Sequence, residues 1–194
     1  MLVRPTEERS LNVRAVAFDL ECTSLSGMIG RILCCSFQPI SGPGNSLPVY
    51  TFRGDQKPYR ATDIVDDSKL AIAIRDELEK YDLIIGHNSK LFDRKFLNAR
   101  LIKAGERSLK PIWHIDTMWV VRTHFRMSSK LDNVQKMLGL SDEKTVIDWD
   151  VWARGATFNK GAMDEIVHHC EQDVKVLESA YWRLLPSVRT IQKG

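Results

Sequence analysis

The stretch Ala15-Val-Ala-Phe-Asp-Leu-Glu-Cys-Thr-Ser-Leu25 constrains this chain more than any other. Apolar or β-branched residues dominate Val13 through Leu20, with no Gly or Pro inside, which is the pattern of a buried strand. Two carboxylates, Asp19 and Glu21, interrupt its end. Alternation along a strand points residues i and i+2 to the same side, so both acids share one face. Acids placed together on a core strand repel each other and resist desolvation. A divalent cation between them removes that cost.

The 194 residues suit one domain, with 43% hydrophobic and 27% charged residues supplying a full core. No apolar run approaches a membrane span, and the charged N-terminus lacks the apolar core of a signal peptide, so cytoplasmic residence is expected. Cys22, Cys34, Cys35 and Cys170 lack paired C-x-x-C spacing, which argues against a zinc site or a disulfide framework. Net charge is only +3, yet Lys90 to Lys130 holds ten Lys/Arg against three acids. A basic block beside an acidic cluster suits a polyanion held by the first and presented to metals at the second; a solvated basic helix face gives the same charge pattern.

Further strands are expected at Arg31–Phe37 and Leu47–Arg53, separated by the turn residues Ser41-Gly-Pro-Gly-Asn45, giving an antiparallel meander. A helix over Lys69–Tyr81 then leads to a short buried strand at Asp82–Gly86, the crossover that parallel pairing requires. A helix over Leu91–Ala104, a strand at Ile112–Ile115 and short helices at about 117–125 and 130–138 follow. The pattern over 140–160 assigns no element. A long helix runs from Gly161 to Pro186. The fold class is therefore α/β: a mixed sheet of three antiparallel strands plus parallel strands, flanked by helices, in a single domain with its core at about 13–185.

Two more acids stand where the first pair needs them. Asp93 closes Gly86-His-Asn-Ser-Lys-Leu-Phe-Asp93 at the start of a helix, and Asp173 lies in His168-His-Cys-Glu-Gln-Asp-Val174. Asp-x-Glu, Asn-x-x-x-Phe-Asp and His-x(3,4)-Asp occur in order, and in this the chain resembles the DEDD superfamily of 3′–5′ exonucleases, which have a ribonuclease-H-like fold. The resemblance implies that Asp19, Glu21, Asp93 and Asp173 are catalytic and hold two Mg²⁺ (or Mn²⁺) ions, with Asp19 bridging both. It implies that Thr23 and Leu25 contact the terminal nucleotide and that Asn88 and Phe92 position it. Family members usually carry Thr-Thr-Gly-Leu after the glutamate; here Cys22 and Ser24 depart from that pattern.

The family's general base is a His five residues before the last Asp in one branch and a Tyr four residues before it in the other. This chain offers His168 at the first position and His169 at the second. At about 100° per residue, His169 lies roughly 40° from Asp173 around a helix and His168 roughly 140°. The apolar stripe Met163, Ile166, Val167, Cys170, Val174, Leu177, Tyr181 and Leu184 is unbroken, and in an unbroken helix only His169 shares Asp173's face. A kink near Cys170 would bring in His168 instead.

Arg122, Arg126 and Lys130 are candidates for phosphate contacts. The five tryptophans are core residues or base-stacking platforms, and Asp116 and Asp132 are helix caps. The expected activity is removal of nucleotides from the 3′ end of single-stranded nucleic acid, DNA being expected ahead of RNA, with no membrane partner. The rivals are an inactive nucleic-acid-binding module and a ribonuclease-H-like endonuclease.

Overall fold

The computed structural model describes residues 13–140, 147–189 and 191–193. Six strands form one sheet in the order β3-β2-β1-β4-β5-β6. β1 (Ala15–Cys22), β2 (Ile32–Ile40) and β3 (Tyr50–Arg53) make the predicted antiparallel meander. β4 (Leu83–Gly86) and β5 (Trp113–Asp116) continue it in parallel, and β6 (Gln192–Lys193) pairs antiparallel with β5. The mixed sheet is the expected one; β6, only two residues long, left no sequence signal.

Helices cover both faces. On one face α1 (Ser68–Leu78) and α2 (Asp93–Lys103) pack Leu70, Ile74, Phe96 and Leu97 against Val16, Phe18 and Leu20 of β1. On the other face α6 (Lys160–Leu184) packs Leu177 and Tyr181 against Ala15, Ala17 and Ile85. The small side chains of β1 let this 25-residue helix, about 37 Å long, lie close to the sheet. α3 (Thr117–His124) and α4 (Leu131–Leu138) bury Val121 and Val134 against Ala180 and Leu184 of α6. The stretch without a sequence assignment contains α5 (Trp149–Gly155), which also lies on α6. A Cβ on Gly155 would stand 2.3 Å from Ile166 Cδ1, so glycine is what lets the two helices touch. Among the described residues, no helix is long and apolar enough to cross a membrane.

Several cations of the basic block are structural. Arg100 is 3% exposed and its guanidinium binds both oxygens of Asp67, at 2.6 Å from Nη2 to Oδ1 and 2.9 Å from Nε to Oδ2. Asp67 also accepts from the backbone N–H of Ile32 at 2.7 Å, so one carboxylate ties α1, α2 and β2 together. Arg107 pairs with Glu79, and Lys110 donates to the Glu79 carbonyl. The block therefore offers a polyanion less charge than its composition suggests.

Arg100→Ala would leave Asp67 charged and buried without its partner. Losing one member of a buried pair costs about 3–5 kcal/mol. Urea unfolding should show a midpoint lowered accordingly, with an unchanged m-value.

Candidate functional site

β1 runs two residues further than its apolar pattern indicates, because β2 pairs with it as far as Cys22. Asp19 and Glu21 thus lie within the strand, opposite Ser36 and Cys34, rather than beyond its end. They share the face of Ala15 and Ala17, the face that α6 covers. A bulge between Glu21 and Cys22 then turns the chain into the Thr23–Gly30 loop. That loop is tied by its own polar groups: Thr23 Oγ1 accepts from Arg31 N at 3.1 Å, and the Cys22 thiol donates to Ser24 O at 3.0 Å. Burial pushes the Cys22 thiol up to about 12, so it is a neutral donor closing a turn. That is what the departure from the family pattern does here.

Asp93 arrives from the opposite face of the sheet. β4 stops pairing with β1 at Ala17↔Ile85, and a tight turn from Gly86 leads into α2. Gly86 leaves room for Ser89, whose Oγ would otherwise meet a Cβ at 2.0 Å. Asn88 sits at φ 62, a left-handed position that Asn tolerates better than most residues. Asp116 holds this turn: Oδ1 accepts from Asn88 N at 2.9 Å and Oδ2 from Lys90 N at 2.9 Å. It also caps α3 through Met118 N at 3.0 Å, the role its sequence position predicts. Asp132 is different: it lies in the first turn of α4, and Lys130 occupies the cap position. Asp93 is buried at the first position of α2, close enough for its charge to act on Glu21.

α6 is unbroken from Lys160 to Leu184, and every residue of the predicted apolar stripe is buried. Asn159 caps it, accepting from Ala162 N at 3.1 Å. Arg53 donates to Asp164 at 2.8 Å and Thr51 to Glu171 at 2.8 Å, fixing the rotation of the helix against β3. In that rotation Asp173 is buried, and His169 Nε2 stands 3.8 Å from Glu21 Oε1 and 3.8 Å from Asp173 Oδ2. His168 points to solvent. Cys170 donates weakly to Asp19, with Sγ 3.4 Å from the carbonyl and 3.5 Å from Oδ2.

The carboxyls oppose one another electrostatically. Burial pushes Glu21 well above the usual carboxylate range, and Asp19, Asp173 and Asp93 push it further. Burial does the same to Asp93, with Asp19 adding to it. Ligand atoms of Asp19, Glu21 and Cys170 lie within 4.8 Å of one another. Burial holds the Cys170 thiol protonated, so the oxygen donors define the set. Asp19 and Glu21 offer oxygen donors of the kind a hard divalent cation such as Mg²⁺ or Mn²⁺ takes; Asp93 and Asp173 lie outside that close group but near enough for their charges to act on Glu21.

Beside Glu21 opens a cavity of about 710 Å³. Thr23, Leu25 and Phe92 line it and Asn88 does not; Trp149 and Trp152, which composition alone could not single out, also line it. Arg122, Arg126 and Lys130 are exposed and do not line it. Arg122 Nε donates to Ser129 Oγ at 3.0 Å.

A family model described as the RNase_H superfamily (RNase_H_2) matches residues 16–185. Among solved structures, the chain is similar to the family B DNA polymerase from the hyperthermophilic archaeon Pyrobaculum calidifontis, with a TM-score of 0.70 and 17% sequence identity. That similarity covers 93% of this chain and 25% of the polymerase, so the chain spans about a quarter of its length. The comparison with curated proteins gives no match.

The turn before α2 generates a pH prediction. His114 is buried beneath it, with Nε2 2.8 Å from Ser89 Oγ, and burial lowers its pKa to about 3, Arg94 and Lys90 adding to the shift. Below about pH 6.5 the unfolded chain takes up a proton that the native state refuses until about pH 3, so stability falls as pH drops through that window. The slope approaches about 1.4 kcal/mol per pH unit. Denaturant unfolding at pH 6.5 and 4.5 should show His114→Gln losing about 2 kcal/mol less than wild type between them.

Proposed function

The chain belongs to the RNase H superfamily, and from that premise we propose that it is a metal-dependent 3′–5′ exonuclease acting on single-stranded nucleic acid, DNA ahead of RNA. One observation supports this reading: Asp19 and Glu21 offer ligand atoms within 4.8 Å of one another near the C-terminal end of β1, an inner strand of the sheet, and His169 Nε2 lies 3.8 Å from Glu21 and from Asp173. Asp19, Glu21, Asp93 and Asp173 would hold Mg²⁺ or Mn²⁺, two ions by the DEDD resemblance, which would supply Lewis-acid polarisation of the scissile phosphate and charge stabilisation of the departing 3′-oxygen. Without that function the cluster would be a net electrostatic burden, which weighs against an inactive binding module. The fold is shared with a quarter of a DNA polymerase, which supports an activity on nucleic-acid ends.

The protein's own groups divide the remaining work. Thr23, Leu25 and Phe92, which line the cavity, hold the terminal nucleotide, and Asn88, outside that lining, positions it from the turn before α2. His169 takes the proton of the attacking water, because Nε2 faces Glu21 and Asp173 and neutral imidazole is a competent base near pH 7. The rotation of α6 supports His169, at the position of the tyrosine branch, as the base. His168, one residue earlier, is exposed and takes no part. Arg122, Arg126 and Lys130 guide the phosphate backbone further from the cut.

A 5′-labelled oligonucleotide with Mg²⁺ should give a ladder that EDTA abolishes. Internal cuts would indicate an endonuclease, and no product an inactive binder. His169→Ala should lower kcat by roughly 10²–10⁴-fold with strand affinity retained. His168→Ala should stay within a few-fold of wild type. The opposite ranking would overturn the assignment of the base.

Phosphate guidance has its own signature. Strand affinity measured with Ca²⁺ in place of Mg²⁺ should fall steeply with salt, and charge reversal at Arg122 and Arg126 should flatten that slope by about one to two counterions. Parallel slopes would remove these residues from the binding surface.

A further inference from the structure

We propose that Trp149 and Trp152 of α5 form a stacking wall for the terminal base of the substrate, making the cavity beside Glu21 a clamp for an unpaired nucleobase. This rests on the exonuclease reading for where the strand ends, and it adds the residues that select what can end there. Trp149 is 80% exposed, although a tryptophan ordinarily buries most of its surface. It stands three residues before Trp152, a spacing that puts both side chains on one side of a helix. Both line the cavity into which Leu25 and Phe92 also project. Leu25 is itself 88% exposed. Apolar groups this large, gathered beside Glu21, suit a ligand with a flat apolar part and an anionic part, which describes a nucleotide whose phosphate lies at the acids.

The lining also says how the base is held. The polar side chains among the residues lining the cavity are Glu21, Cys22, Thr23 and Ser24, and the large ones are aromatic or aliphatic. Stacking on aromatic faces is sequence-tolerant, since every base has a π-face. The clamp thus holds the terminal base chiefly by its face.

The wall is held firmly. Val151 is buried among Cys34, Met163 and Ile166, and Gly155 rests on Ile166. Buried Arg31 donates to the carbonyl of Ala156, at the end of α5, and its guanidinium stacks 4.4 Å from the Phe158 ring centroid. Trp149 is thereby presented at the cavity by a short helix whose opposite side is fixed.

The test pairs Trp149→Ala, at an exposed position that leaves the core intact, with Trp152→Phe, which keeps a smaller aromatic ring at the half-buried position. Two 5′-labelled strands are compared, one ending in a normal 3′ nucleotide and one in an abasic 3′ residue. Trp149→Ala should raise KM for the normal end about tenfold with little change in kcat, since losing one base–aromatic stack costs 1–3 kcal/mol. On the abasic end it should match wild type. Equal KM values for wild type and Trp149→Ala on the normal end would overturn the wall while leaving the exonuclease reading intact. Intrinsic fluorescence separates the two claims. With Ca²⁺ in place of Mg²⁺, a normal-ended strand should quench wild-type emission more than the abasic strand does, and that difference should vanish in Trp149→Ala and persist, weakened, in Trp152→Phe. Such quenching would uphold the wall even if wild type produced no ladder; equal quenching by both strands would refute it.

Discussion

Like charges gathered in a partly dry site stay together only when each is held from behind. Asp19 and Glu21 are fixed by the ladder of β1 with β2, and their shared side follows from strand alternation. Asp93 is fixed as the first residue of α2, after a turn that Asp116 braces. Asp173 is fixed by α6, whose rotation Arg53 and Thr51 set from β3. A cation that neutralises these acids therefore meets a site already assembled by packing and hydrogen bonds, and pays little to organise it.

The local signals were legible. β1, the crossover to β4, the three acid-bearing motifs and the apolar stripe of α6 all stand in the sequence at helix or strand period, and the structure realises them within a few residues. The same stripe placed His169 on Asp173's face. What escaped depends on distant residues. β1 reaches Cys22 because β2 pairs there. The basic block is partly consumed because Arg100 meets Asp67 and Arg107 meets Glu79. Asp116 signals a cap, and nothing in its neighbours shows that it also binds the backbone of Asn88 and Lys90. α5 is short, and only Val151 and Gly155 are buried in it, so no period emerges over 140–160.

The departures from the family's loop pattern are absorbed locally. Cys22 and Ser24 close the turn between themselves through thiol and carbonyl, and Thr23 is braced by Arg31 N. The loop needs no glycine at position 24 to present Leu25 beside the cavity.

The acids belong to different layers, and that gives the sheet a second office. Asp93 rides on α2, seated on one face through Phe96 and Leu97, while Asp173 and His169 ride on α6, seated on the other through Leu177. The strands lie between them like the body of a caliper. The opening between its jaws is set by how thickly Phe18 fills one side and Ala17 the other. Close-packed interiors transmit a change of one methylene, so Phe18 and Ala17 act as shims. The purely apolar core of this protein is in that sense part of its metrology: it fixes the distance between groups it never touches.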